Sequence, residues 1–454
     1  MPESSAGVAL PSISLDEFAQ RRKRLMAQLE PDAVVVLPGA TEQRRNSDVD
    51  FPFRQHSDLL YLTGFTEPDA WLVLVPGREA GESILFCRPR DRDLEIWNGY
   101  RLGPEGVVSQ LGIDDAHPID DLDEVLPALL ADKTHVYSPL GQDETVDAHL
   151  MHWVNQVRGQ ARKGVQAPTH FHDLLAPLHE LRLIKSEQEV AVMRAAGEIS
   201  AAAHQRAWAA AVRPSQRATT EYQLEAEIRH ACAWAGAPEF AYPSIVGSGA
   251  NACVLHYTEN TDVLQDGDLV LIDAGCELHG YASDITRTFP VNGRFNAEQR
   301  ALYDLVLNAQ KAALAEVKPG VPMRQPHEAV VRVLVTGLVE LGLLEGDVDQ
   351  LIEKEGYRDF FMHGTSHWLG LDVHDVGTYK IDGAWRPLRP GMCLTIEPGL
   401  YVAPDNEQVE ARWRGIGVRI EDDVVVTAEG HENLTASVPT DPEAIEQLMA
   451  DWRG

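Results

Sequence analysis

The chain has 454 residues, 44% hydrophobic and 24% charged, enough for two or three domains whose cores need no covalent staples. A formal charge of −31 disfavours nucleic acid as a partner, and no apolar run approaches the roughly eighteen residues of a membrane span. Five cysteines, odd in number and never spaced C-x-x-C, argue for reduced thiols in the cytoplasm rather than a disulfide framework or a zinc knuckle.

The opening "MPESSAGVALPSISLDEFAQRRKR" lacks the apolar core of a signal peptide. Its basic run, Arg21 to Arg24, reads as a solvated helix face rather than a binding patch. From there to about residue 174, strands such as "DAVVVLPG", "WLVLVPG" and "SILFCRPR" alternate with helical stretches, predicting an α/β domain without an evident catalytic cluster. The texture changes near Leu181. "LRLIKSEQEVAVMRAAGEISAAAHQRAWAAA" sets Ser186 and Glu189 at capping-box spacing, then continues as an Ala-rich helix with Val190, Met193, Ala196 and Gly197 at helical intervals. The expected domains are therefore 1–176 and 177–454.

Next comes "LVLIDAGCELHGYASDITRTFP", Leu269 to Pro290, two strand-like runs around a turn-like His279–Gly280 pair. A hairpin centred between Leu278 and His279 sets Asp273 opposite Asp284. Directly opposed residues stand about 4.5–5.5 Å apart at Cβ, where like charges repel. A buried carboxylate without a partner is costly, so such a pair needs a shared proton or a cation.

The later sequence repeats the earlier. "DGDLVLIDAG" aligns without gaps on "PGMCLTIEPG", so Asp273 falls on Glu397, and "GSGANACVLH" aligns on "TSHWLGLDVH", so His256 falls on His374. Helical stretches precede both halves, "QRALYDLVLNAQKAALAEV" and "HEAVVRVLVTGLVELGLL" in the second. The expectation is a pseudo-two-fold α/β domain with its site at the junction. Taken singly, a histidine in "FFMHGTSHWLGLDVHD" (His363, His367, His374) is an ordinary core or surface residue, and an acid at a strand end is an ordinary cap. Duplication shifts that balance, because equivalent acids from both halves would converge. Asp273, Asp284, Glu397 and Glu421 with His367 make four carboxylates and one imidazole, and Arg419 lies two residues before Glu421. Two divalent cations would offset that charge, and a mostly oxygen set suits Mn²⁺ better than a thiolate-seeking ion.

These stretches, with "DFPFRQHSDLLYLTGFTEPDAWLVL", "EIWNGYRLG" and "VLHYTEN", resemble the M24, or pita-bread, metallopeptidases across nearly the whole chain, and within them the aminopeptidase P (Xaa-Pro aminopeptidase) type. The resemblance implies that Asp273 binds one metal, that His367 and Glu397 bind the other, and that Asp284 and Glu421 bridge both. It further implies that His256, His363 and His374 bind substrate and stabilise the intermediate, with His374 on the oxyanion, Glu397 as proton shuttle and Arg419 behind the ligands. Tyr242 and Tyr401 match pocket tyrosines, and Trp97 matches a tryptophan that reaches a neighbouring subunit's site. The implied reaction is attack of metal-activated hydroxide on the bond before a proline in the second position, with Mn²⁺ or else Co²⁺ or Zn²⁺, in a cytoplasmic dimer or tetramer. A prolidase on the same fold and a non-catalytic pita-bread binding protein are the rival readings.

Overall fold

The computed structural model describes residues 10–212 and 219–453; residues 1–9, the first of those read above for a signal peptide, lie outside them. The chain divides into one unit spanning Ile13–Arg182 and another that takes in Leu183 onward.

In the first unit the apolar runs build a six-stranded mixed sheet, in the order Asp115–Pro118, Ser83–Cys87, Trp71–Leu74, Ala33–Pro38, His135–Ser138 and His170–Asp173. Ala33–Pro38 is central, antiparallel to Trp71–Leu74 and parallel to His135–Ser138. Its unbroken apolar sequence follows from being covered on both faces. Val34, Val36, Val73 and Phe86 pack with Leu126, Leu130, Trp153 and Val154 from the helices Leu122–Leu130 and Glu144–Arg158.

The basic run of the first helix, Leu15–Met26, differs from the expected solvated face. Arg21 is only 1% exposed and Arg22 only 4%. Their guanidinium groups donate to the carbonyls of Tyr61 at 3.0 Å and Leu62 at 2.9 Å, in the last turn of the helix Ser57–Thr63. Those carbonyls have no partner within their own helix, and the rigid Arg fork satisfies them. Only Lys23 and Arg24 face solvent.

In the second unit, the helix Glu187–Val212 begins with the capping box read from sequence: the Ser186 N–H donates to Glu189 Oε2 at 2.9 Å, and the Glu189 N–H to Ser186 Oγ at 3.3 Å. It packs on Glu221–Trp234, and a three-stranded antiparallel sheet of Ile245–Ser248, Leu269–Asp273 and Thr286–Pro290 follows. A second helix pair, Ala297–Glu316 and Gln325–Glu340, precedes the strands Cys393–Ile396 and Asp422–Val426. Each helix pair is thus followed by a strand leading into a carboxylate, Asp273 in one half and Glu397 in the other.

The hairpin register departs from expectation. The turn residues are His279 and Gly280 themselves, with φ of 51° and 87°, and Leu278 pairs with Tyr281. A two-residue hairpin turn with both central φ values positive matches the natural strand twist, which displaces the centre from the one expected. Asp273 therefore faces Thr286, and Asp284 does not lie directly across from it.

A buried ion pair ties the start of the helix Glu187–Val212 to the histidine-rich segment. Lys185 Nζ lies 2.8 Å from Asp375 Oδ2, and both side chains are 1% exposed. The Asp375 N–H donates to Trp368 O, and the Lys185 N–H to Gly391 O. Replacing Lys185 with Met removes the ammonium from beside this buried carboxylate and should destabilise the fold. Urea unfolding of the metal-free protein should show that loss, and adding Asp375→Leu should recover most of it. A double variant as unstable as Lys185→Met alone would mean that the charge pairing is not what the site needs.

Candidate metal centre

Two rows of residues across neighbouring strands form the centre. In the first, Thr286 stands between Asp273 on one side and Glu421 on the other. Its hydroxyl donates to Glu421 Oε2 at 2.6 Å and accepts from Arg419 Nε at 3.1 Å. In the second, the segment 365–369 runs antiparallel to Cys393–Ile396: the Thr395 N–H donates to His367 O at 3.0 Å, and the Glu397 N–H to Thr365 O at 2.8 Å. Thr395 is thus opposite His367, and Thr365 opposite Glu397. Candidate ligands sit diagonally from one another, with a threonine directly across, so like charges avoid the closest cross-strand spacing. Across from Asp284 the hairpin brings Gly275, where a Cβ would fall 1.7 Å from Ser283 O.

The carboxylates outnumber the groups that could neutralise them. The Tyr242 hydroxyl lies 2.7 Å from Asp273 Oδ1 and 2.5 Å from Asp284 Oδ1, yet one O–H can donate to only one of them. Asp273 also accepts from Arg419 Nη2 at 2.6 Å. Burial raises the pKa of Asp273, Arg419 opposes the rise and the charge of Asp284 adds to it. Burial acts on Asp284 in the same direction, but the adjacent His367, the hydrogen bond from Tyr242 and the charge of Arg419 leave it lowered. Glu397 is pushed up to about 7 by burial, with Asp284 adding to the effect and His367 opposing it. Glu421 lies well above the usual carboxylate range, through burial and the charges of Asp284, Glu397 and Asp273.

His367 is oriented to serve as a ligand. Its Nδ1–H donates to Trp368 O at 3.0 Å, leaving Nε2 3.5 Å from Asp284 Oδ2 and 3.7 Å from Glu397 Oε1. Those spacings are long for hydrogen bonds, but two donors on one ion at roughly 2.0–2.2 Å stand about 3.0–3.6 Å apart. Without a cation, burial opposes the charge on His367, while the nearby carboxylates of Asp284 and Glu397 raise its pKa to about 9. Asp284, His367 and Glu421 each offer an atom within 4.8 Å of the others, the one such group among the described residues. Asp273 joins them through Tyr242, and Glu397 through His367. The donor set fits divalent cations.

The remaining expected residues flank this cluster. Arg419 Nη1 donates to the Tyr401 hydroxyl at 3.0 Å, and that hydroxyl lies 2.8 Å from His363 Nε2. His363 Nδ1–H donates to Gly364 O at 2.7 Å, so Nε2 accepts from Tyr401 and the ring is neutral. Burial and the charge of Arg419 lower its pKa to about 3. His374 is exposed and packs edge-on against His367, with ring centroids 4.3 Å apart. His256 is also exposed, and its charge contributes to depressing both His363 and His374. Trp97 belongs to the other unit, where it is 85% exposed on the helix Arg92–Asn98.

Sequence reasoning missed Thr286, Thr365 and Thr395. It also missed Asp423, whose Oδ2 accepts the Asp284 N–H at 2.9 Å, and His327, whose Nδ1 lies 2.8 Å from Thr365 Oγ1. The threonines had a signal: in a paired strand the position across from a buried acid must be small, and a hydroxyl there can donate.

Residues 191–428 match the model of Metallopeptidase family M24, and residues 18–137 that of the Aminopeptidase P, N-terminal domain. The chain is 48% identical to the Xaa-Pro aminopeptidase of Escherichia coli K12, over 98% of this chain and 100% of that protein. It is 45% identical to the Xaa-Pro aminopeptidase of Haemophilus influenzae, over 96% and 97%. Among solved structures, Pseudomonas aeruginosa aminopeptidase PepP superposes with a TM-score of 0.96 at 53% identity, covering 98% of this chain and 99% of that one. Zn-substituted E. coli aminopeptidase P in complex with product gives 0.94 at 48%, covering 98% and 100%.

The protonation of the centre dictates how it takes up metal. Below about pH 9 His367 holds a proton, and below about pH 7 Glu397 does, so an entering cation displaces both. Affinity for Mn²⁺ should therefore rise from pH 6 to 9, by on the order of tenfold per pH unit for each proton released. Calorimetry in buffers of different ionisation enthalpy counts those protons. Uptake with no proton release across that range would contradict the placement of His367.

Proposed function

The chain belongs to metallopeptidase family M24 and acts as a Xaa-Pro aminopeptidase, releasing the N-terminal residue from peptides with proline second; on that premise we propose how its own residues divide the work. Residues 177–454 form the catalytic domain and 1–176 the amino-terminal domain. Asp273 would hold one divalent ion and His367 with Glu397 a second, with Asp284 and Glu421 as ligands shared by the centre. The observation that carries this reading is the gathering of Asp284, Glu397 and Glu421 about the His367 imidazole, with Asp273 tied to Asp284 through Tyr242. The oxygen-rich donor set favours Mn²⁺ over Co²⁺ or Zn²⁺. Bound there, such ions supply Lewis acidity and a water acidified to neutral pH.

The chain's residues do the rest. Glu397 takes a proton from the attacking water and delivers it to the leaving proline nitrogen. His374, exposed beside the His367 ring, donates to the developing oxyanion. His256 and His363 bind the peptide, and the Arg419–Tyr401 hydrogen bonds fix the His363 tautomer. Tyr242 holds Asp273 and Asp284 in register at the pocket wall. The substrate's free amino group is drawn to the acidic cluster, which makes the enzyme an exopeptidase.

We place the protein in the cytoplasm, which five free thiols support, and no helix among the described residues is long and apolar enough to cross a membrane. We further propose a homo-oligomer, dimer or tetramer. Ile96, Trp97 and Tyr100 are 72%, 85% and 91% exposed, a cluster of large apolar side chains of the kind a second copy covers.

Metal-stripped protein given back Mn²⁺ should hydrolyse Xaa-Pro-Yaa peptides well and Xaa-Pro dipeptides poorly; the reverse ranking would make it a prolidase. Trp97→Ala should raise KM for longer peptides in the oligomer while metal content and folding stay unchanged. Identical kinetics in a confirmed oligomer would remove Trp97 from the site.

A further inference from the structure

In "TTEYQLE" the Gln223 side chain reaches back to accept the Thr220 N–H at 2.9 Å, and Glu221 is the first residue of the helix Glu221–Trp234. The dipole of that helix favours an anion in its first turn. Glu221 is 0% exposed. Its Oε1 accepts from the Ser248 N–H at 2.7 Å, the Ser248 hydroxyl at 2.8 Å and Asn251 Nδ2 at 3.1 Å. Its Oε2 accepts from the Tyr257 hydroxyl and the Asp262 N–H, both at 2.9 Å. A carboxylate offers about four lone-pair sites, so these donors fill it.

All of these donors belong to the segment 248–262, which carries His256. From 254 to 262 that segment forms neither helix nor strand, so its backbone has no ladder to hold it. Glu221 grips it at both ends instead, and the Glu221 N–H donates in turn to Asp262 O at 3.0 Å. Asn260, with φ of 51°, adds a second tie one turn along the same helix: its Nδ2 donates to Glu225 Oε2 at 3.0 Å, and its Oδ1 accepts the Val246 N–H at 3.0 Å. His256 is exposed, and the residue after it is anchored. The Tyr257 ring lies in an apolar cluster with Leu271 and Tyr401 while its hydroxyl reaches Glu221.

We propose that Glu221 is a positioning residue of the peptidase: its carboxylate fixes the segment 248–262, and so sets where the His256 imidazole meets the peptide. The proposal rests on the peptide-binding role assigned to His256. Glu221 touches no candidate metal ligand among its partners, so its influence runs through the segment rather than through the ions. A small displacement of a substrate-holding group is enough to weaken a site, which gives a buried acid remote from the reacting bond its leverage.

Kinetics of the Mn²⁺-loaded full-length protein on an Xaa-Pro-Yaa peptide test it. Each Glu221 oxygen faces a backbone N–H, so the amide of Glu221→Gln, whichever way it turns, sets its own N–H groups against one of them. One end of the segment is then released, and a hydrogen bond to a charged group is worth about tenfold or more. Glu221→Gln should therefore raise KM about tenfold, while kcat and Mn²⁺ affinity change less than about twofold. A merely structural loss would instead lower the active fraction, and with it the apparent kcat, at unchanged KM. Tyr257→Phe keeps the packed ring and should raise KM in the same way by less; it carries the test alone if the buried amide prevents folding. His256→Ala separates the two ideas. Wild-type KM in that variant would remove the peptide-binding role of His256, and this proposal with it. A raised KM there, beside wild-type KM in the folded variants of Glu221 and Tyr257, would overturn the proposal alone. So would a full further rise when Glu221→Gln is added to His256→Ala, since effects that pass through one residue do not add.

Discussion

The crowding of negative charge around Asp284 governs the second unit. Asp273, Glu397 and Glu421 gather about it, and the Arg419 guanidinium, bonded to Asp273, Thr286 and Tyr401, offsets one charge among four. Coulomb repulsion between buried carboxylates is severe, so a fold that keeps them together is organised to receive compensating charge. Much of the surrounding structure then has a purpose. Tyr242 shares its one hydroxyl between two acids, Trp368 fixes the His367 tautomer, and Lys185 anchors the segment that carries the imidazole.

Direct cross-strand opposition would maximise that repulsion, and the registers avoid it. Asp273 meets Thr286, which in turn meets Glu421, while His367 meets Thr395 and Glu397 meets Thr365. Threonine suits each position because it is small, favours a strand and carries a hydroxyl that can donate to an acid or receive from a neighbour. Thr286 does both at once, donating to Glu421 and accepting from Arg419.

Much of this was legible beforehand. A charged residue closing an apolar run marked Asp273 and Glu397, and the Ser186–Glu189 spacing marked a helix start that the structure forms. The gapless repeat tied the two acids to equivalent places. What the linear pattern lacked was register. Asp273 and Asp284 were expected face to face, but the positive φ values of His279 and Gly280 centre the hairpin elsewhere. Arg21 and Arg22 were expected in water because sequence carries no sign of the helix-end carbonyls that accept from them. Asp423 and the supporting threonines went unnoticed for a similar reason: their importance lies in what stands across from them.

The row through Thr286 also has a consequence for biosynthesis. Its hydroxyl bonds a glutamate 135 residues further along the chain, so closing the row requires a long-range contact. Loop closure over that distance carries an entropic cost that local helices do not, and such contacts consolidate late. While Glu421 is still inside the ribosome, the helix pair and hairpin of the first half can form but the row remains open. The order of synthesis thus delays the competence of this centre until nearly the whole polypeptide has emerged, and incomplete chains cannot trim their neighbours.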